Sequence, residues 1–407
     1  MKKVFLVLSI GLAIFASSCK KKADSNATPQ GVADNKKAME TQGVALTNKI
    51  TAMKTTKAGT AIQNLSSLFS SSALKADVVN SLPIGKLLAQ ISSNSTDGTV
   101  SALKSSTSSS IDFKSQIGKA AATYTYNKAK NSFDTSAAEA PNVIKVLFPG
   151  SSTSTTNNAE FKVYGLGFTS VSTKNTLYET NNAITACSAY LKVDGTNVMT
   201  YSLTATYDAN GYPSSIATSL TVDVYSLNYN LTYTSAKATS DLSIKQADTV
   251  LMAQGFEFDG TLTEDKAKEL NTYYNDTSTA SKNATKIGEF VSAATVYYQV
   301  MDVKIIGSVD VKNFTTALDA SNALNSNGFT SANADLVNKY CSLYAIFASS
   351  NKKIADVTIY AKAVTTGNDP ALMLNFPDGS KADLQTYVQD PNNFADFRTS
   401  FKNLVNN

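Results

Sequence analysis

From residue 227 the side chains alternate: Leu227, Tyr229, Leu231 and Tyr233 fall on one side, Asn228, Asn230, Thr232 and Thr234 on the other. A period of two is the signature of an extended strand, whose successive side chains point to opposite faces. The same division recurs upstream, with Met199, Tyr201, Leu203, Ala205 and Tyr207 opposite Thr200, Ser202, Thr204 and Thr206. "NVIKVLFPG" (142–150), "AEFKVYGLGF" (159–168), "AITACSAYLKV" (183–193) and "YPSSIATSLTV" (212–222) read as further strands, and "AATYTYNKAKNSFD" (121–134) as a hairpin. "DGTN" and "DANG" supply Asp, Asn and Gly for the tight turns of an antiparallel meander. One apolar and one polar face is the pattern of an antiparallel sheet covered on one side only.

Helical spacing appears on both sides of this region. Met39, Val44, Leu46, Ile50 and Met53 recur at short intervals, and Ile62, Leu65, Leu68 and Phe69 form an amphipathic stripe, with Gly59 placed between two helices. A third apolar run, "DVVNSLPIGKLLAQI" (77–91), is broken by Pro83 and Gly85 and gives way to a Ser/Thr-rich linker. "LTEDKAKELNTYYN" (262–275) opens on Thr263, an N-cap residue followed by acids that suit the helix dipole. "ATVYYQVMDVKIIGSVDVKNF" (294–314) reads as one long strand and "ADLVNKYCSLYAIFASS" (334–350) as a helix. "KIADVTIYAKAV" and "ALMLNFPDGSKADL" return to strands, the latter turning at Asp378 and Gly379, before a last helix in "NNFADFRTSFKNLV" (392–405). The fold class expected is α+β: a large curved antiparallel meander, half-barrel-like in its open form, with helices packed on the apolar face.

Composition narrows the chemistry. The 407 residues are 43% hydrophobic and 17% charged, enough to bury a substantial core, and the formal charge is only +4. The lysines are dispersed instead of striped beside aromatics, which argues against a nucleic-acid partner. Histidine is absent. That removes Ser/His/Asp and Cys/His relays, HExxH zinc sites and any side chain whose ordinary pKa lies near neutrality. Carboxylates or amides gather in "DGTL" (259–262), "TEDKAKE" (263–269) and "DASNALNSNG" (319–328). In the last, a calcium-loop register on Gly328 would put Ala323 and Ala334 where acidic ligands are required. All three stretches read as turns or helix starts. "GSK" (379–381) is too common a juxtaposition here to mark a Ser/Lys dyad. No catalytic or metal site and no cofactor is expected, and the chain reads as a non-enzyme.

The amino terminus carries the strongest signal. "MKK", the apolar "VFLVLSIGLAIF" and "ASSC" form a short basic, apolar and small-residue series, too short for a membrane-spanning helix of roughly twenty residues. This series resembles a bacterial lipoprotein signal, which implies that Cys19 is acylated and begins the mature chain. Ala16 stands where the commonest form has leucine. With Cys19 assigned to lipid, Cys187 and Cys341 are left as a candidate disulfide or, the favoured alternative, as two small buried residues. The organisation expected is a signal peptide over 1–18, a flexible tether over 19–34, a helical segment with its linker over 35–110, a β-meander over 111–262 and a mixed segment over 263–407.

"YTYNKAKNSFD", "KVLFPG", "TACSAYLKVDGTNVMTYSLTATYDANGYPSSIATSLTV" and "LNFPDGSKADLQTYV" resemble uncharacterised lipoproteins of Bacteroidota over roughly residues 110–390. The resemblance implies a lipid-anchored envelope protein and brings no activity or site residue with it. Lys20, Lys21 and Lys22 stand where surface export in that phylum uses acidic residues, leaving both faces of the outer membrane open as placements. "DTV" (248–250) is similar to the O-glycosylation signal of that phylum, which makes Thr249 a candidate acceptor.

Two roles are expected for such a chain. In the first, the Tyr/Leu/Met-rich face and its helices enclose a lipid or other hydrophobic ligand. In the second, the Thr/Ser/Asn-rich face presents itself to a glycan or an envelope protein, and the 19 tyrosines replace the absent tryptophan in sugar stacking.

Overall fold

The computed structural model describes residues 32–53, 56–71, 113–171, 182–208, 211–275, 283–320, 329–364, 367–390 and 393–406. The expected signal peptide, Cys19 and most of the expected tether lie outside them, as does the run at 77–91. Sixteen strands form one largely antiparallel sheet in the order β16-β15-β14-β13-β12-β11-β10-β9-β8-β7-β6-β5-β4-β3-β1-β2, so the expected α+β meander is present. The order has two ends and the sheet is not closed. The chain divides into a central unit, Ile50–Asn230, and a terminal unit made of the described residues up to Lys49 with Leu231–Asn407.

Helix α1 (Val32–Met53) contributes to both units. The central unit continues with α2 (Lys57–Ser71) and α3 (Phe113–Ala120), then β1 (Ala122–Asn127), β2 (Ser132–Ser136), β3 (Ile144–Phe148), β4 (Ala159–Ser170), β5 (Asn182–Val193), β6 (Thr196–Tyr207), β7 (Pro213–Val222) and most of β8 (Tyr225–Tyr233). Gly59 does not separate the two helices; it lies in the first turn of α2, which begins at Lys57. Asp223 explains that start: its carboxylate accepts the Ala58 N–H at 2.9 Å, occupying a donor that a helix's first turn leaves unpaired. The stripe beyond it packs as the periodicity predicts, with Ala58, Ala61, Ile62 and Leu65 against Leu191, Met199 and Val163 of the sheet. Phe148, Ile144 and Leu191 are fully enclosed in this core. Burying each contributes about 1.5–3 kcal/mol. β1 pairs antiparallel with β2 and parallel with β3, an exception to the meander that the sequence does not announce.

The terminal unit holds β9 (Lys237–Gln246), β10 (Thr249–Gly260), α4 (Glu264–Asn275), α5 (Thr285–Phe290), β11 (Val291–Val300), β12 (Val303–Val309), α6 (Val311–Ala320), α7 (Ser331–Tyr340), β13 (Cys341–Phe347), β14 (Lys353–Val364), β15 (Gly367–Asn375), β16 (Lys381–Asp383), α8 (Leu384–Gln389) and α9 (Ala395–Asn406). Thr263 caps α4 as expected, its Oγ1 accepting the Lys266 N–H at 3.3 Å. Two expectations fail. Residues 294–314 are not one strand: the chain reverses at Met301-Asp302 to make β11 and β12, then enters α6. Residues 334–350 are not one helix: α7, opened by a capping box between Thr330 and Asn333, ends at Tyr340, and Cys341–Phe347 pairs with β12. The apolar residues of "CSLYAIF" fit a helix by spacing, but ladder pairing with Val303–Val309 prevails over it.

Two kinds of connection recur. Those from β5 to β6, β7 to β8, β9 to β10 and β11 to β12 are two-residue turns whose first residue, Asp194, Asp223, Ala247 or Met301, has φ between 49° and 52°. Only the first turn has the expected Asp-Gly pair, Gly195 continuing at φ 76°. The turns are laced to neighbouring hairpins: Asp223 N–H donates to Val198 O at 2.8 Å and Met301 N–H to Leu251 O at 3.0 Å. Val198 and Leu251 are the extra residues at irregularities in the β5/β6 and β9/β10 registers, and both are buried. Such a bulge sharpens the local twist and frees a carbonyl for the adjacent turn. The helices enter at the opposite connections, α4 and α5 between β10 and β11, α6 and α7 between β12 and β13. Among the described residues no helix is long and apolar enough to cross a membrane.

Candidate functional site

In the central unit the ladder registers align polar side chains in rows across the face opposite α2. One row runs Lys145, Lys162, Tyr190, Thr200, Thr221 through β3, β4, β5, β6 and β7. The next runs Tyr164, Ser188, Ser202, Ser219 through β4 to β7, and the Ser219 hydroxyl donates to Asn228 Oδ1 on β8 at 2.9 Å. A third sets Leu147, Glu160 and Lys192 side by side. Adjacent members of a row sit about 4.8 Å apart, the strand spacing, and rows are separated by two residues, about 6.7 Å. The polar half of the alternation therefore becomes a regular array of hydroxyls, with Thr200, Ser202, Thr204 and Thr206 all exposed.

A charged and aromatic cluster stands at one side of the array. Glu139, in the loop before β3, accepts from Lys145 Nζ and Lys162 Nζ, each at 2.6 Å. These two hydrogen bonds hold its carboxyl at about 2, well below the ordinary carboxylate range. Glu160 pairs with Lys145 at 3.5 Å through one oxygen and accepts the Tyr190 hydroxyl through the other. Burial, then that hydrogen bond, pushes the Tyr190 phenol up. The Tyr164 and Tyr190 rings meet edge to face at 5.8 Å, and Tyr164 is 39% exposed. Lys162 lies 6.0 Å from the Tyr164 ring centre, and Lys192 lies 4.6 Å from that of Tyr190. Ion pairs this accessible add little to stability; what they do is fix the orientation of the two rings. Its two lysines keep Glu139 ionised, whereas a general acid needs a raised pKa.

The opposite, apolar face is occupied by the protein itself. Tyr201, Leu227 and Cys187 pack against the core formed with α2 and α3. In the terminal unit, Phe314, Ala334 and Val337 of α6 and α7 pack on Ala294, Val309 and Ile359. Two open pockets lie away from these cores. One of about 400 Å³ is lined by Tyr126, Asn127, Asp134 and Asn157, the other, of about 470 Å³, by Lys266, Glu289, Lys312 and Thr316.

The other candidates from the sequence are dispersed. Cys187 and Cys341 are thiols, not a disulfide; they stand on β5 and β13 and pack in separate apolar clusters as small fillers. Thr249 opens β10 at an exposed hairpin tip, beside the Ala247-Asp248 turn. Asp259 is 4.0 Å from Lys237, and Asp319 serves the start of α5. The Ser380 hydroxyl donates to Asp378 at 2.6 Å within its own turn. Residues 321–328 lie outside the described chain. Among the described residues no group of three or more metal-ligating side chains assembles. The Tyr164/Tyr190 cluster was missed by the sequence reading, although its signal was present: Tyr164 and Tyr190 occupy the polar half of their strands' alternation, where a large aromatic needs a reason. Compared with known proteins, the chain matches no family model, no curated protein and no solved structure.

Proposed function

We propose that the chain is a lipid-anchored cell-envelope protein, tethered through Cys19, whose central unit binds a glycan on the exposed face of β4 to β7. The observation that carries this reading is the exposed Tyr164 ring, braced by Tyr190, beside ordered rows of Ser and Thr hydroxyls. Sugars offer C–H faces to aromatic rings and hydroxyls to hydroxyls, and a flat array of both suits an extended chain. The carrier reading would need an apolar hollow between sheet and helices, as in a curved half-barrel; the packed cores favour the glycan reading over it. No role for a cofactor or a nucleic acid is part of the proposal.

The test is retention of the purified Cys19→Ala protein on immobilised cell-wall and host polysaccharides. Retention is expected, and Tyr164→Ala should weaken it about fivefold, since an aromatic contact of this kind is worth on the order of 1 kcal/mol. A protein that binds none of them would overturn the glycan reading. The anchor is tested separately: wild type should fractionate with membranes and Cys19→Ala should not.

A further inference from the structure

The cations on the glycan face are not all ion-paired. Three lysines, Lys145, Lys162 and Lys192, meet two glutamates, Glu139 and Glu160. Glu139 spends its oxygens on Lys145 and Lys162. Glu160 stands directly across the ladder from Lys192, yet one of its oxygens takes the Tyr190 hydroxyl and the other faces Lys145. The nearby Asp194 carboxylate accepts the Asn158 amide at 2.8 Å. Lys192 is left with the π face of Tyr190 alone, 4.6 Å away, and among the described residues it belongs to no ion pair. A ring face attracts an ammonium by about 0.5–1 kcal/mol at an accessible site and leaves its net charge and outward donors available.

From this ammonium outside any ion pair we infer that the glycan is anionic, with Lys192 as the counter-charge to a carboxylate or sulfate group on the sugar. The inference rests on the glycan reading above and names the ligand's class. Tyr190 holds the ammonium on the same face as Tyr164 and the Ser188, Ser202 and Thr200 hydroxyls. An acidic sugar whose ring lies on Tyr164 therefore meets donors and positive charge together. Neutral sugars use the ring and the hydroxyls only.

The experiment compares the Cys19→Ala protein on polygalacturonate, carboxyl-reduced polygalacturonate, dextran sulfate and dextran. The expected result is about tenfold tighter binding to at least one charged polymer than to its neutral counterpart, shrinking as salt is raised. The polygalacturonate and dextran sulfate arms separate carboxylate from sulfate as the source of charge. Lys192→Gln should abolish the preference, and Lys192→Arg should restore it. Equal binding to charged and neutral polymers, or a preference that survives in Lys192→Gln, would overturn the inference and leave the glycan reading standing. Binding to none of the four, together with no retention on the wider polysaccharide panel, would overturn both. Unchanged melting of Lys192→Gln confirms that a lost preference is not a folding defect.

Discussion

Gly255 on β10 and Tyr297 on β11 are direct ladder partners, and the tyrosine ring occupies the space a side chain at 255 would need. A Cβ there would stand 2.5 Å from Tyr297 Cε1, 2.6 Å from Ser240 O and 2.7 Å from Asp241 Oδ1. The ring is fixed from both ends: its hydroxyl donates to Asp241 at 2.7 Å, and Lys304 lies 4.1 Å from its centre. The glycine that would weaken a strand is thus covered by an aromatic from the next one.

Gly255→Ala should therefore destabilise the terminal unit by about 1–3 kcal/mol, as overpacking does. Part of the cost comes from backbone, Ser240 O, so Tyr297→Ala should relieve it incompletely. Denaturant midpoints of the two single variants and the double variant check this, the coupling being the departure from additivity.

Glu139 gives the glycan face an acid limit. Its pKa is lowered from 4.5 to about 2 by the Lys145 and Lys162 hydrogen bonds. A depressed carboxyl contributes stability above its unfolded pKa and loses it as pH falls through the folded one. The loop carrying Glu139 should then loosen between about pH 4.5 and 2. Carboxyl-carbon NMR should place the Glu139 midpoint near 2, and in Lys162→Gln that midpoint should rise.

Asp319 organises the start of α5. Its oxygens accept the Ala284 and Thr285 N–H groups at 2.8 Å each and the Thr285 hydroxyl at 2.5 Å. Burial opposes its ionisation, but these three bonds outweigh burial and lower its pKa. Asp319→Ala strands all three donors and should cost about 1–3 kcal/mol, with Asp319→Asn less harmful. Thermal melts at neutral pH distinguish the variants.

The thiols provide a simple check on the cores. Burial pushes the Cys187 thiol up to about 11, so at pH 8 it has almost no thiolate to react. In the native Cys19→Ala protein Cys187 should resist Ellman's reagent until the chain unfolds. Because Cys187 and Cys341 are both thiols, added reductant should leave the unfolding midpoint unchanged.

Where period and turn chemistry agreed, the fold was legible in the residues: β6, β8 and the Asp194-Gly195 turn occupy the positions their alternation predicts. The Met301-Asp302 reversal was not legible, because Met301, which takes the positive φ, is not a customary turn former; it is held there by its N–H bond to Leu251, a contact from another hairpin. Helix α7 and strand β13 merged for a similar reason, since no glycine or proline marks the junction at Tyr340 and Cys341. α3 and α8 are six to eight residues long, too short for a period to show. The candidate site was half visible. The hydroxyl rows follow from the alternation of β6, but the meeting of Tyr164, Tyr190 and Glu160 depends on registers that only folding sets.

The strand order has a kinetic meaning. From β4 to β16 every strand's neighbour in the sheet is also its neighbour in the chain, so each pairing joins consecutive strands. Closing a loop costs only about 0.6 kcal/mol more for each doubling of its length. Passing from a two-residue turn to the connection over 261–290, about four doublings, adds on the order of 2 kcal/mol. Each hairpin with a two-residue turn can form on the scale of about 1–10 μs. Growth should pause at the connections that carry α4 to α7, where strands must wait for helices to find their place. A chain built this way can assemble its sheet hairpin by hairpin in the order in which it emerges.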